Sequence, residues 1–201
     1  RPVIVQGTLL SLADAVQAEA EGQVRFDVAV GRNALARAGD WVAAARTVGQ
    51  VLRPGGRLVL AESVPRHGQR LYRLVDLSPL GEDLARRLQA AEEAIFSDPE
   101  DPMVAWDAPD LQAALEAAGF VNVRVEVLRH TATQRISRDQ LARWFAAGRA
   151  GERPSYAARL SRHLSADEVA AVRDLFQAQL RESTVNWTSS VAYVLARWPA
   201  V

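Results

Sequence analysis

Residues 26–65 read FDVAVGRNALARAGDWVAAARTVGQVLRPGGRLVLAESVP. The run Phe26-Asp27-Val28-Ala29-Val30 is short, apolar and rich in β-branched residues, and Gly31 ends it. That pattern predicts a strand buried on both faces. Asp40 is placed to cap a helix over 41–52, in which Trp41, Ala44, Ala45, Val48, Val51 and Leu52 share one face. Pro54-Gly55-Gly56 stops that helix and turns the chain, and residues 57–62, RLVLAE, read as a second buried strand. Two buried strands joined by a helix predict a right-handed crossover with parallel strands. Ligands of such sheets sit at the carboxyl ends of the strands. Here those ends are Gly31-Arg32-Asn33 and Glu62-Ser63-Val64-Pro65.

On the amino-terminal side, Pro2-Val3-Ile4-Val5-Gln6-Gly7 reads as a strand, and residues 9–21 as a loop passing into a short helix. On the other side, residues 66–78 alternate Leu71, Leu74, Val75 and Leu77 with Arg66, Arg70 and Arg73, which predicts an amphipathic helix. Pro79-Leu80-Gly81 breaks it, and Leu84, Leu88, Ala91 and Ile95 mark a helix over 82–96. Glu92-Glu93 reads as part of a solvated helix face, because adjacent helical residues point in different directions. In the loop 97–109, Asp98, Asp101 and Asp107 lack the spacing of a calcium loop and fit turn chemistry. Met103, Val104 and Trp106 are apolar enough to plug a core or line a pocket.

Asp107 or Asp110 caps the next helix, Gly119 ends it, and 120–127 alternates as a strand does. Ser137 caps a helix carrying Leu141, Trp144 and Phe145. Around the loop 148–154, Arg143-Trp144 and Arg153-Pro154-Ser155-Tyr156, with Arg149 and Arg159, have two readings. They form a substrate-facing lid whose arginines and aromatics suit phosphate or base contacts, or they are ordinary helix packing beside a surface loop. Ser165 and Glu168 make a capping box for a helix over 169–181, and 184–198 is the last strand. With no repeat, low-complexity stretch or linker in view, the chain reads as one domain.

Composition narrows the function classes. The 201 residues are enough for a proper core, and 49% hydrophobic with 24% charged residues is ordinary for a globular protein. The formal net charge is zero, so no global field favours nucleic acid. Every cationic side chain is Arg, a bias that needs no functional cause. Without Cys there is no disulfide, thiolate metal site or Cys nucleophile, and three scattered His do not form a zinc site by spacing. No stretch approaches the roughly 20 apolar residues of a membrane span. No signal peptide is visible, so the expected location is cytoplasmic.

The segment Val51-Leu52-Arg53-Pro54-Gly55-Gly56-Arg57-Leu58, with the FD-x-x-x strand before it and the acidic strand end after it, resembles the fourth and fifth strands of class I S-adenosylmethionine-dependent methyltransferases. LEAAGFVNVRVEVL, residues 115–128, is similar to the helix and sixth strand of the same family, and 184–198 to its antiparallel seventh. The resemblance implies an α/β, Rossmann-like sheet with helices on both faces, and helical insertions after the fifth and sixth family strands. It implies that residues 2–7 are the third strand, with Gly7-Thr8 where the family often has Gly-Asp near the adenine. Gly7, Thr8, Gly31, Arg32 and Asn33 are then the residues expected to touch S-adenosylmethionine, and Glu62 is a candidate base or polarising group. Trp106, Trp144, Arg153 and Tyr156 are the expected substrate or lid residues. Arg32-Asn33-Ala34-Leu35 lacks the prolines of the amino-group methylating branch.

The family's Gly-rich loop and acidic second strand have no counterpart in the chain, and no G-x-G-x-G occurs. The better half of the cofactor site is then missing, and the chain is expected to bind S-adenosylmethionine weakly or not at all. The absence also leaves the Phe26 strand with an apolar edge, which is an aggregation hazard. Three remedies are open: an earlier part of a longer protein completes the sheet, the first strand slides beside the Phe26 strand, or the edge pairs with another copy in a homo-oligomer. A further resemblance rests on residues 71–76, 91–96, 101–107 and 153–156. They are similar to a methyltransferase-like module fused behind bacterial AAA+ ATPases of the replication-associated recombination, Werner-helicase-interacting type. It implies a non-catalytic interaction module in DNA replication and repair, touching DNA only indirectly. Methyltransferase and interaction module are the two function classes the sequence supports.

Overall fold

The computed structural model describes residues 4, 6–19, 24–147 and 153–200. In chain order the elements are α1 (Leu12–Glu19), β1 (Phe26–Arg32), α2 (Trp41–Gln50), β2 (Leu52–Ser63), α3 (Glu82–Ser97), α4 (Ala108–Ala117), β3 (Val121–Arg135), α5 (Arg138–Trp144), α6 (Tyr156–Leu160), α7 (Ala166–Leu180) and β4 (Thr184–Arg197). The four strands form one sheet in the order β1-β2-β4-β3. β1 and β2 are parallel, and β4 runs antiparallel to β2. The parallel pair and the antiparallel last strand are as expected for the strands likened to the family's fourth, fifth and seventh, and the fold is α/β and Rossmann-like.

The chain divides into two compact units where the sequence reads as one domain. Unit 1 holds residues 1–66, 99–130 and 190–201, and unit 2 holds 67–98 and 131–189. Unit 2 thus holds the two helical insertions expected after β2 and β3, together with the end of β3 and the start of β4. Of the expected first strand, residues 2–7, residues 2, 3 and 5 lie outside the described residues, and Ile4, Gln6 and Gly7 are not in a strand.

In unit 1, strand parity decides the core. Leu58, Leu60 and Glu62 of β2 and Ala192, Val194 and Ala196 of β4 point inward. α2 covers them with Ala44, Ala45 and Val48, and α4 adds Leu111 and Leu115. Asp40 caps α2 by accepting from the Ala43 amide at 2.9 Å. Asp107 caps α4 in a reciprocal capping box with Asp110. Trp106 packs edge-on against Trp41 at 5.2 Å between centroids. Gly49 lets the Trp198 ring lie against α2, since a Cβ there would stand 2.2 Å from the ring. The Pro54-Gly55-Gly56 turn is looped out of the sheet edge: Phe26 pairs with Leu52 and Val28 with Arg57, so five residues of β2 span two of β1.

The expectation that β1 is buried on both faces is corrected. β1 is an edge strand, and among the described residues nothing covers its outer side. Phe26, Val28 and Val30 are exposed, Val30 to 79%. Val30 pairs with Val59, and Val59 with Leu195, so these exposed side chains form one stripe across the uncovered face. An apolar run therefore marks a strand here without marking two covered faces.

In unit 2, Leu88, Ala91 and Ile95 of α3 and Val172, Phe176 and Leu180 of α7 make a second core with Ile136, Leu141 and Leu160. Ser137, Ser155 and Ser165 cap α5, α6 and α7. The amphipathic helix expected over 66–78 is corrected to three short 3-10 turns. Its amides have other partners. Glu92 takes those of Leu71 and Tyr72, and Asp76 takes both the amide and the hydroxyl of Ser78.

Candidate functional site

β1 ends at Arg32, and Asn33 turns the chain with a positive φ of 49°, a conformation Asn tolerates better than most residues. The Asn33 amide donates to Ala61 O at 3.0 Å, and its Oδ1 accepts from the Ser63 amide at 2.8 Å. The loop after β1 is thus pinned to the end of β2 by one residue. A second brace comes back from β2. Glu62 is fully buried, and its Oε1 accepts from the amides of Ala34 at 2.8 Å and Leu35 at 3.1 Å. Its Oε2 accepts from the Ala36 amide at 3.2 Å. Leu35 and Ala36 are buried beneath this loop.

The braced loop forms one wall of a cavity of about 370 Å³. Asn33, Ala34, Arg37, Ala38 and Gly39 supply that wall, and Gly7, Thr8, Leu9 and Leu10 supply the other. Three of the five residues expected to touch a cofactor, Gly7, Thr8 and Asn33, therefore line one cavity at the carboxyl end of β1. Thr8 is held in a local turn, where its amide and hydroxyl both meet Ser11 Oγ. Arg37 is exposed and has no ion-pair or hydrogen-bond partner among the described residues. The lining combines a hydroxyl, an amide, a guanidinium and apolar side chains, and includes no carboxylate.

Gly31 and Arg32 do not line the cavity. Gly31 is needed for packing, since a Cβ would come within 2.8 Å of Leu60 Cδ2 and 3.1 Å of the Ala34 Cβ. Arg32 is exposed at the end of β1. Glu62, expected as a base, presents no accessible oxygen, because both are enclosed and accept backbone amides. It anchors the loop. Trp106 is a core residue at 3% exposure, with its indole N–H unpartnered.

Of the expected lid residues, Trp144, Arg153 and Tyr156 belong to unit 2; Arg149 lies outside the described residues. Trp144 stacks on Trp187 at 6.2 Å. Tyr156 packs between Phe145 and Phe176 and donates its hydroxyl to Glu92 Oε2 at 2.8 Å. Arg153 is exposed.

Sequence reasoning missed Glu92. Its carboxylate is fully buried and accepts from the amides of Leu71 and Tyr72 and from Tyr156. The solvated-face reading is therefore corrected for Glu92. It stands in the same helical stripe as Leu88, Ala91 and Ile95, and that was the available signal. Burial raises the Glu92 pKa above the ordinary carboxylate value, against the lowering effect of Tyr156, the two amides and Arg70. Burial, and then the Glu92 charge, push the Tyr156 phenol well above its usual value, so it stays a donor. Glu93 does face outward. Hydrogen bonds from Tyr72 and Arg70 hold its pKa low against a desolvation effect.

Fold and site together define an α/β, Rossmann-like chain with a cavity at the carboxyl end of β1. No protein-family model and no curated protein matches the chain. Among solved structures it is similar to a Bacillus halodurans protein provisionally assigned as a methyltransferase, at 14% identity and a TM-score of 0.44, covering 96% of this chain and 70% of that one. It is similar to YcgJ of Bacillus subtilis at 14% identity and a TM-score of 0.41, over the same shares. A third is a Haemonchus contortus phosphoethanolamine N-methyltransferase in complex with phosphomonomethylethanolamine and S-adenosylhomocysteine, at 11% identity and a TM-score of 0.37. The match covers 87% of this chain and 33% of that protein. Among the described residues no helix is long and apolar enough to cross a membrane.

Proposed function

We propose that unit 1 is one side of a class I S-adenosylmethionine-dependent methyltransferase domain, and that its cavity takes the adenosine end of the cofactor. One observation carries this reading. Gly7, Thr8 and Asn33, assigned to the cofactor on sequence grounds alone, line a single cavity. The sheet order and the antiparallel β4 support it. In this role Thr8 offers a hydroxyl to the base or ribose, and Leu9, Leu10, Ala34 and Ala38 bury its flat face. S-adenosylmethionine supplies an electrophilic methyl group, so the protein's task is chiefly to hold cofactor and acceptor in line. No lining side chain is a general base at neutral pH, which places the burden on alignment.

The open edge of β1 and the exposed Val30, Val59 and Leu195 stripe fit a further strand and helix completing the sheet and the cofactor site. Calorimetric titration of the chain with S-adenosylhomocysteine tests the reading. Because the chain carries a cavity with the expected residues in its wall, the reading narrows the sequence expectation of weak or absent binding to weak binding: saturable, on the order of 1 mM, about −4 kcal/mol. No heat at several times that concentration overturns it.

A further inference from the structure

Glu62 is a charged side chain with no exposed surface, at the end of the strand beside the cavity. A carboxylate is removed from water at high cost unless donors replace the water. Here three consecutive backbone amides do so, those of Ala34, Leu35 and Ala36. They are not part of any helix or strand. Without Glu62 the loop would have to find water for them or change shape, since buried amides are rarely left unpaired. The brace is reciprocal, because Asn33 of the same loop accepts the Ser63 amide next to Glu62. Ala34 lines the cavity and donates to Glu62, and Arg37 and Ala38 follow one and two residues after the last anchored amide.

From this we infer that Glu62 is the positioning residue of the cavity, acting on a ligand only through the loop 33–39 and never as a base. The inference rests on the cavity being the cofactor site. It makes the shape of the β1-side wall depend on one carboxylate 26 to 28 residues away in sequence.

The test uses the whole chain, Glu62→Gln and Asn33→Ala. Gln keeps one acceptor oxygen but turns an N–H toward a backbone N–H, so it breaks the anchor while keeping the volume. Hydrogen exchange at Ala34, Leu35 and Ala36 is read together with S-adenosylhomocysteine affinity by NMR titration. Slow exchange of the three amides in the wild type, faster exchange confined to residues 33–39 in Glu62→Gln, and affinity weakened about tenfold support the inference. If Glu62→Gln does not fold, Asn33→Ala is read by hydrogen exchange alone, because it removes the return brace together with a side chain of the cavity lining and puts Ala at a positive φ; faster exchange at the amides of Ala34, Leu35 and Ala36 is expected. Unprotected amides in the wild type overturn the inference, as does unchanged affinity in a folded variant with loosened amides. Protected amides with no wild-type binding overturn the cofactor reading instead, and leave Glu62 a structural anchor.

Discussion

Replacing Tyr156 by Phe removes one hydroxyl and leaves the ring in place. The ring's packing on Phe145 and Phe176 is kept, and what is lost is the 2.8 Å bond to Glu92. A hydrogen bond to a charged partner contributes about 1.5–3 kcal/mol, so Tyr156→Phe should destabilise unit 2 by about 2 kcal/mol near neutral pH. For a chain of this length that corresponds to a melting point lower by roughly 4–8 °C.

The loss should depend on pH, and its sign follows from Glu92. Burial raises the Glu92 pKa, so its contribution to stability is full below the ordinary carboxylate value and is lost as pH rises through the folded pKa. Tyr156 is the largest of the influences opposing that rise. Without it the folded pKa climbs further, and the variant loses more stability than the wild type as pH increases. Below the carboxylate range Glu92 is neutral in both, and the cost of the substitution should fall to about 1 kcal/mol, the value of a neutral hydrogen bond. Urea unfolding of both proteins between pH 4 and pH 8 measures this. A cost that is flat, or that grows as pH falls, refutes the account of a buried, desolvated Glu92.

Gly49→Ala should destabilise unit 1 by about 1–3 kcal/mol despite the better helix propensity, because the new methyl meets the Trp198 ring; thermal melting checks it. Val30→Lys should change stability by less than about 0.5 kcal/mol, since the side chain is 79% exposed. The same variant should bind a hydrophobic dye less and self-associate less in sedimentation than the wild type; a large loss of stability would mean that the outer face of β1 is covered.

Much of the fold was legible because its signals are local. Asp40, Ser137, Ser165 and Asp107 cap the helices the sequence assigned to them, with partners three residues away or fewer. The strands were legible from β-branched runs, and the parallel pairing of β1 with β2 from the helix that joins them. The failures share a cause, which is that the deciding partner is distant in sequence. Residues 66–78 have a helical pattern, but Glu92, 20 and 21 residues on, takes two of their amides. Parity along β2 places Glu62 on the same inward face as Leu58 and Leu60, so its burial could have been read. The amides it would meet could not, because they lie beyond a turn whose shape Asn33 sets. Whether a strand's outer face is covered depends on what lies beyond its edge, and no pattern within β1 reports that.

The most direct test of the cofactor reading is to locate the ligand. Backbone amide shifts of the chain should be followed during titration with S-adenosylhomocysteine to millimolar concentration. The account predicts progressive shifts at Gly7, Thr8, Leu9, Asn33, Ala34 and Ala38, with Trp144 and Tyr156 unmoved. Shifts confined to unit 2, or none anywhere in a folded chain, would contradict it.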